Sequence, residues 1–397
     1  MVVDSPKNVS SAGPLGTRLT AELRREAERL GFARMGIAAV GRPPYHETFQ
    51  RWLTQGLAGP MQEWLSRHAP LRADPTILLP GARSVIMLAT DHATGPSIGE
   101  GVAIDPEPGR GRVARYAWGD DYHDLLRTRA NALGKWIEER VPGSRTRGVV
   151  DSAPLAERDF AWLAGLGWIG KNTMLISPQA GSYFFLTAVL TDLELPTDTP
   201  LAVDHCGTCT ACLDACPTDA FPEPRVLDAN RCISALTIEH RGGVPSELRA
   251  GIDTWVFGCD ICQEVCPWNR HAPGSTEPTF QPRDADPTLD LADLLSLDDA
   301  GFRKRFKDSP LLRAKRHGLA RSAAIALGNR PHPPAFAALA AALRDAEPVV
   351  REAAAWALGR WIERGVMAEE ARRALATCES QVSSMSAAGS RPAPSAE

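Results

Sequence analysis

The chain has 397 residues, of which 44% are hydrophobic and 23% charged, with a formal net charge of −4. That length supports two or three domains with cores of their own, and the composition is that of an ordinary soluble globular protein. No apolar run reaches the length of a membrane-spanning helix, and the opening MVVDSPKNVSSAGPLG lacks the charged-then-apolar build of a signal peptide. The expectation is a cytoplasmic protein without a membrane partner.

Residues 1–16 are polar and rich in Ser, Pro and Gly, and are expected to be flexible. Thr17–Leu30 carries Leu19, Leu23, Ala27 and Leu30 at helical spacing and is stopped by Gly31. Phe32–Val40 reads as a strand, His46–Leu57 as a helix leading into Met61–His68, and Ser84–Ala89 as a buried strand. Residues Gly95–Gly111 read as a Gly- and Pro-rich loop, followed by a polar-aromatic cluster, Arg115–His123, and a helix over Asp124–Arg140. Arg147–Val150 is a short strand ending on Asp151, Pro154 is placed to open a helix to Leu166, and Ser182–Leu190 is a further buried strand. Strands alternating with helices make 17–200 an α/β or α+β domain.

Eight of the nine cysteines follow, between Cys206 and Cys266. Cys206, Cys209, Cys212 and Cys216-Pro217 have the C-x2-C-x2-C-x3-C-P spacing of bacterial ferredoxins, whose fourth cysteine serves the other cluster. Counting back from Cys266-Pro267 gives Cys262 and Cys259, but Val256 stands where the first ligand belongs, and Cys232 is the one cysteine left between the two halves to replace it. The ligands then divide as Cys206, Cys209, Cys212 and Cys266 for one [4Fe–4S] cluster and Cys216, Cys232, Cys259 and Cys262 for the other. Structural zinc leaves the tight triple run unexplained; disulfides do not suit a reducing compartment; clusters that never turn over are the remaining bland reading. These residues form a ferredoxin-like domain over 201–272.

A Pro- and Asp-rich stretch, 273–287, reads as a linker. The rest is helical: Ala323–Gly328 recurs as Ala354–Gly359 with a period of 31, as stacked helical hairpins of HEAT-like type would over 288–375. A Ser-, Ala- and Pro-rich tail, 376–397, is expected to be disordered, with Cys378 a bystander. The fold class is therefore α+β and multidomain.

Asp151, at a strand end before a turn, is the leading acid of the N-terminal domain. Such a carboxylate serves either as a helix cap or as a general acid, and both readings stay open on spacing alone. Gly165-x-Gly167-x-x-Gly170 follows a helix rather than a strand and so fails as a dinucleotide fingerprint; a close backbone approach to a flat cofactor suits it better. Between Arg303 and Arg321 lie eight bases (Arg303, Lys304, Arg305, Lys307, Arg313, Lys315, Arg316, Arg321) against one acid, Asp308. This is either a solvated helix face or a surface for a phosphate backbone.

Taken together, Asp151–Ser152–Ala153–Pro154, Gly165–Lys171, the double cluster ending Cys266–Pro267–Trp268–Asn269–Arg270 and the helical repeat closely resemble the epoxyqueuosine reductase family, over about residues 17–365. Arg67–His68, Asp121–Tyr122–His123, Arg231–Ser234 and Leu236–Glu239 match as well. The resemblance implies an oxidoreductase of tRNA modification that reduces the epoxide of epoxyqueuosine at the wobble position to an alkene. It implies two [4Fe–4S] clusters, a base-off cobalamin in the N-terminal domain, a proton donor at Asp151, and the Cys216-containing cluster beside the corrin. Cofactor contacts carried over by motif are Arg67, Tyr116, Asp151, Trp168, Gly170, Lys171, Ser234 and Thr237. The basic stretch would hold the anticodon stem-loop, and flavodoxin, ferredoxin or a similar donor would supply electrons to a monomer.

The family is related to cobalamin-dependent reductive dehalogenases, but Leu126 stands where their Asp-x-His-x-x-Gly motif needs glycine. Asp120 also departs from the family, which usually has a basic residue there. The alternatives are a dehalogenase-like reductase of a small molecule, which needs no basic repeat, and an electron-transfer adapter using the clusters alone.

Overall fold

The computed structural model describes residues 14–94, 105–201, 204–284 and 286–388. They divide into two compact units. One takes the described residues of Met1–Ala103, Arg115–Cys232 and Asp260–Ala285; the other takes those of Ile104–Ala114, Ile233–Cys259 and Asp286–Glu397. The cysteine-rich segment is divided between them. Of the expected flexible start, 1–13 lie outside the described residues, while residues 14–16 already belong to the helix Pro14–Arg29.

In chain order the strands are β1 (Arg34–Ala39), β2 (Ser84–Asp91), β3 (Arg110–Val113), β4 (Thr146–Val150), β5 (Trp168–Ile169), β6 (Leu175–Ile176), β7 (Phe184–Thr191), β8 (Trp255–Phe257) and β9 (Leu289–Asp290). The first unit is built on a four-stranded sheet of order β1-β2-β7-β4, antiparallel throughout. Its domain is therefore α+β. The continuous apolar run of β2 follows from cover on both faces. Val85, Met87 and Ala89 join one core with Phe160, Ala161 and Ala164 of the helix Glu157–Leu163 and its cap. Ile86 and Leu88 join another, with Leu23 and Ala27 of Pro14–Arg29 and Leu126, Ala130, Leu133 and Ile137 of Tyr122–Arg140. The period of two sorts each strand's side chains between two apolar layers.

Two sequence expectations change here. Pro154 does not open a helix; the helix begins at Glu157 and ends where Gly165, at φ +74°, turns the chain. The stretch read as a linker is packed: Phe280 is 4% exposed and meets Phe185 edge-on, with ring centroids 5.1 Å apart. A side chain at Gly119 would strike the Thr279 carbonyl, so only glycine admits this segment.

In the second unit β3 lies between β8, parallel to it, and β9, antiparallel. Residues Arg110 and Gly111, expected in a loop, are thus in a strand; residues 95–104 of that loop lie outside the described residues. The helices Lys315–Asn329 and Pro348–Glu363 pack as the alanine-rich repeat predicts. Gly328 accommodates Trp356, and the fully buried Trp361 donates its indole N–H to the Leu327 carbonyl at 2.7 Å. Ala368–Ala388 is a further helix, so the first part of the expected disordered tail is helical, and 389–397 lie outside the described residues. Among the described residues no helix is long and apolar enough to cross a membrane.

Candidate active site and cysteine scaffold

The acid cluster sits where β4 ends. Asp151 has φ +41°, a left-handed conformation that Asp tolerates better than most residues, and its side chain is 58% exposed. Its Oδ2 accepts from the Tyr122 hydroxyl at 2.8 Å and lies 3.2 Å from His123 Nε2. His123 Nδ1 lies 2.6 Å from Asp121 Oδ1, and Asp121 also caps the helix Tyr122–Arg140 by accepting from the His123 backbone N–H. Burial alone would lower the His123 pKa, but the hydrogen bonds to Asp121 and Asp151 outweigh it and raise it to about 9. The imidazole is therefore a cation at neutral pH, held between two carboxylates. Burial and the charge of Asp151 push the Tyr122 phenol well above its ordinary value, so it stays a donor.

Glu157 escaped the sequence reading. Its Oε1 accepts from the Asp151 backbone N–H at 2.8 Å, and burial, with the nearby Asp151 charge, raises its pKa to about 8. A carboxylate six residues past a candidate acid carries no local signal; the turn brings it back.

A line of rings leads inward from this cluster. Tyr122 stacks on Phe185 at 4.0 Å, and Phe185 meets His92 at 4.4 Å; His92 in turn meets Tyr183 edge-on at 5.9 Å. Tyr116, the motif-derived cofactor contact, packs edge-on against both Tyr122 and Phe185. Along this line several buried polar atoms lack a hydrogen-bond partner among the described residues: His92 Nδ1, Thr94 Oγ1, Tyr183 Oη and Arg115 Nε. Full burial lowers the His92 pKa to about 3, so that ring is neutral. Such unmet groups are costly in a dry interior.

None of the nine cysteines is in a disulfide. Cys206, Cys209, Cys212 and Cys266 line one pocket with Trp268 and Lys171, and they are the set assigned to the first cluster from spacing. Cys216, Cys232 and Cys262 lie in the same unit, and Cys259 closes a segment of the other. No three or more His, Cys, Asp or Glu among the described residues converge on a single ion. Burial, together with the neighbouring Cys266 and Cys206, raises the Cys212 pKa to about 11, and burial drives Cys262 well above its ordinary range. Packed bare thiols resist ionisation, and bound iron would supply the missing positive charge.

The glycines of GLGWIGKN make room for the chain itself. A Cβ at Gly167 would meet the Ile176 carbonyl at 2.3 Å, and one at Gly170 the Ile176 side chain at 2.5 Å, as the β5–β6 hairpin closes. Trp168, 2% exposed, packs with Ile176 and Cys266, and Lys171 reaches the loop of the first cysteines. Arg67 is exposed and pairs with Glu63 on its own helix. Ser234 and Thr237 lie on a helix of the other unit. There the Thr237 hydroxyl donates to the Ile233 carbonyl at 2.8 Å and accepts from the Gly258 N–H at 2.9 Å.

The basic stretch is smaller than it reads. Arg316 is 8% exposed and grips Asp345 with two hydrogen bonds of 2.7 and 2.8 Å. Arg321 is fully buried and donates to the carbonyls of Leu236, His240 and Gly242. Both are structural and are not part of an exposed basic face. Arg303, Lys304, Arg305, Lys307, Arg313 and Lys315 are exposed, with Arg313 against Glu239 and Arg305 against Asp293. Asp120 forms an ion pair with Arg283 at 2.6 Å.

Fold and site define an iron–sulfur oxidoreductase with a HEAT-type helical repeat. Residues 205–269 match the 4Fe-4S double cluster binding domain, residues 310–384 match HEAT repeats, and residues 72–152 match the family described as "Epoxyqueuosine reductase QueG, DUF1730". The chain is 43% identical to the epoxyqueuosine reductase of Pseudomonas aeruginosa over 354 residues, covering 89% of this chain and 97% of that one. It is 38% identical to that of Escherichia coli, covering 87% and 90%. Among solved structures, an epoxyqueuosine reductase with a tRNA-Tyr epoxyqueuosine-modified stem loop is similar at a TM-score of 0.78 and 30% identity, covering 88% of this chain and 92% of that one. The Bacillus subtilis epoxyqueuosine reductase, solved with the loop of its catalytic aspartate swung out of the active site, matches at 0.78 and 29%, covering 91% and 98%. The chain belongs to the epoxyqueuosine reductase family.

Proposed function

We propose that this chain reduces the epoxide of epoxyqueuosine at the wobble position of tRNA to the alkene of queuosine, with Asp151 as the proton donor. Removing the epoxide oxygen takes two electrons and two protons; both C–O bonds break and the oxygen leaves as water. The observation that carries the reading is the Asp121–His123–Asp151 array with Tyr122, set in the same unit as the first four cluster cysteines. Asp151, exposed on one side, takes the proton of the protonated His123 and delivers it to the leaving oxygen, the second proton coming from water on its exposed side. Tyr122 and His123 hold its Oδ2. Asp121 keeps the imidazole ring turned for that exchange.

Cys206, Cys209, Cys212 and Cys266 would hold one [4Fe–4S] cluster, and Cys216, Cys232, Cys259 and Cys262 the other. The unmet polar atoms of His92, Thr94, Arg115 and Tyr183, beyond the rings of Tyr122 and Phe185 from Asp151, suit a large cofactor rimmed with amides, as a corrin is. Bound there, these groups would supply single-electron relay and a strongly reducing metal centre. The protein's own part is to position the substrate and to hold the proton. The exposed bases of Arg303–Lys315 would hold the tRNA backbone, and a flavodoxin- or ferredoxin-like donor in the cytoplasm would supply electrons to a monomer.

Nucleoside analysis of tRNA from a strain lacking the gene tests the reading. Epoxyqueuosine accumulates, queuosine disappears, and the intact gene restores it. Unchanged queuosine in a strain without a second reductase would sink the assignment.

A further inference from the structure

The turn joining β5 to β6 has a role that its glycines conceal. Lys171 Nζ donates to the carbonyls of Gly207 at 2.7 Å and Cys209 at 2.9 Å. The next residue, Asn172, is 2% exposed and donates from Nδ2 to the Cys262 carbonyl at 3.2 Å. Two neighbouring side chains thus hold both cysteine runs by their backbones. The turn is itself held: the Arg225 N–H donates to the Lys171 carbonyl at 2.9 Å, and Arg225 pairs with Asp204, whose Oδ1 accepts from the Cys206 N–H at 2.9 Å. Lys171 lines the pocket of Cys206, Cys209, Cys212 and Cys266. Of the eight cluster cysteines, Cys209 is exposed, and it is the Cys209 carbonyl that the ammonium holds.

We propose that Lys171 is a positioning residue for the first cluster, bracing the exposed Cys206–Cys209 loop and raising that cluster's reduction potential by its charge. The proposal rests on reading Cys206, Cys209, Cys212 and Cys266 as one cluster's ligands. A cluster becomes more negative on reduction, so a fixed cation beside its ligands favours the reduced state. A hydrogen-bonded loop also opens less often, which slows the loss of iron through the exposed thiolate.

The test compares reconstituted full-length wild type with Lys171→Met, Lys171→Arg and Cys209→Ser. It uses iron and sulfide analysis, redox titration followed by electron paramagnetic resonance, and the rate of bleaching in air. The signal that Cys209→Ser perturbs marks the first cluster. Lys171→Met shifts that signal to lower potential, leaves the other in place and bleaches faster, while Lys171→Arg stays near wild type. Selective loss of the first cluster in Lys171→Met, rescued by Lys171→Arg, supports the bracing role equally. Identical potentials and bleaching in Lys171→Met and wild type overturn the proposal, as does the same loss in Lys171→Met and Lys171→Arg. A wild type without four-iron signals, or a Cys209→Ser protein with both signals unaltered, would instead remove the ligand assignment itself.

Discussion

Asp151 was visible in the sequence as an acid at a strand end, but its partners were not. Tyr122 and His123 come from the start of a helix about thirty residues earlier, and Glu157 from the far side of the turn. Asp151→Asn keeps the shape of this array and removes the transferable proton. Turnover is expected to fall by roughly 10²–10⁴-fold with iron content unchanged; full activity with intact clusters would remove Asp151 as the donor.

The array also sets a pH dependence. His123 is raised from its ordinary 6.5 to about 9, and Glu157 from 4.5 to about 8. Both groups bind their protons more tightly folded than unfolded. Each therefore contributes stability that is complete below its unfolded pKa and lost as pH rises through the folded one. For His123 the contribution is on the order of 3 kcal/mol, fading between pH 6.5 and about 9. Melting temperatures measured across that range should decline on the alkaline side, and His123→Gln should flatten the decline. An equal slope in the variant would show that His123 does not carry it.

At the scale of elements, regular periodicity was legible and irregular segments were not. The buried strands β2 and β7, the helix Tyr122–Arg140 and the alanine-rich repeat announced themselves by apolar spacing. The strand β3 did not, because its four residues, RGRV, follow a Gly- and Pro-rich stretch and gain order only from β8 and β9. Phe280 likewise sits in a segment whose composition reads as a linker, and its burial is a property of the ring partners it finds.

Arg321 shows the same limit in reverse. Charge counting placed it on a surface, whereas the helix Lys315–Asn329 buries it against three carbonyls, and burial draws its pKa down to about 10. Removing it strands those carbonyls, so Arg321→Ala should cost on the order of 3–5 kcal/mol. Thermal unfolding should show this, whereas Lys304→Ala on the exposed face should change stability by less than about 0.5 kcal/mol.

For the whole molecule, the remaining exposed bases make a test of tRNA binding that spares the fold. Reversing Lys304, Lys307 and Lys315 to Glu leaves Arg316 and Arg321 in place. Affinity for an anticodon stem-loop should fall, and the slope of log affinity against log salt should flatten by roughly one for each phosphate no longer neutralised. Unchanged affinity and slope would make these residues a solvated face.

By itself the sequence determined the double-cluster cysteine spacing and the repeat, and it singled out the leading acid, because each is written in short spacings that survive without a fold. Three thiols within seven residues, a period of 31 and a carboxylate closing a strand are local facts. Tertiary structure alone decided what surrounds them. It brought Tyr122 and His123 to Asp151, lined up unmet polar atoms behind Phe185, buried Arg316 and Arg321, and turned Lys171 onto the cysteine loop. Those pairings join residues far apart in the chain, and burial and hydrogen-bond satisfaction, which select them, are properties of the packed molecule.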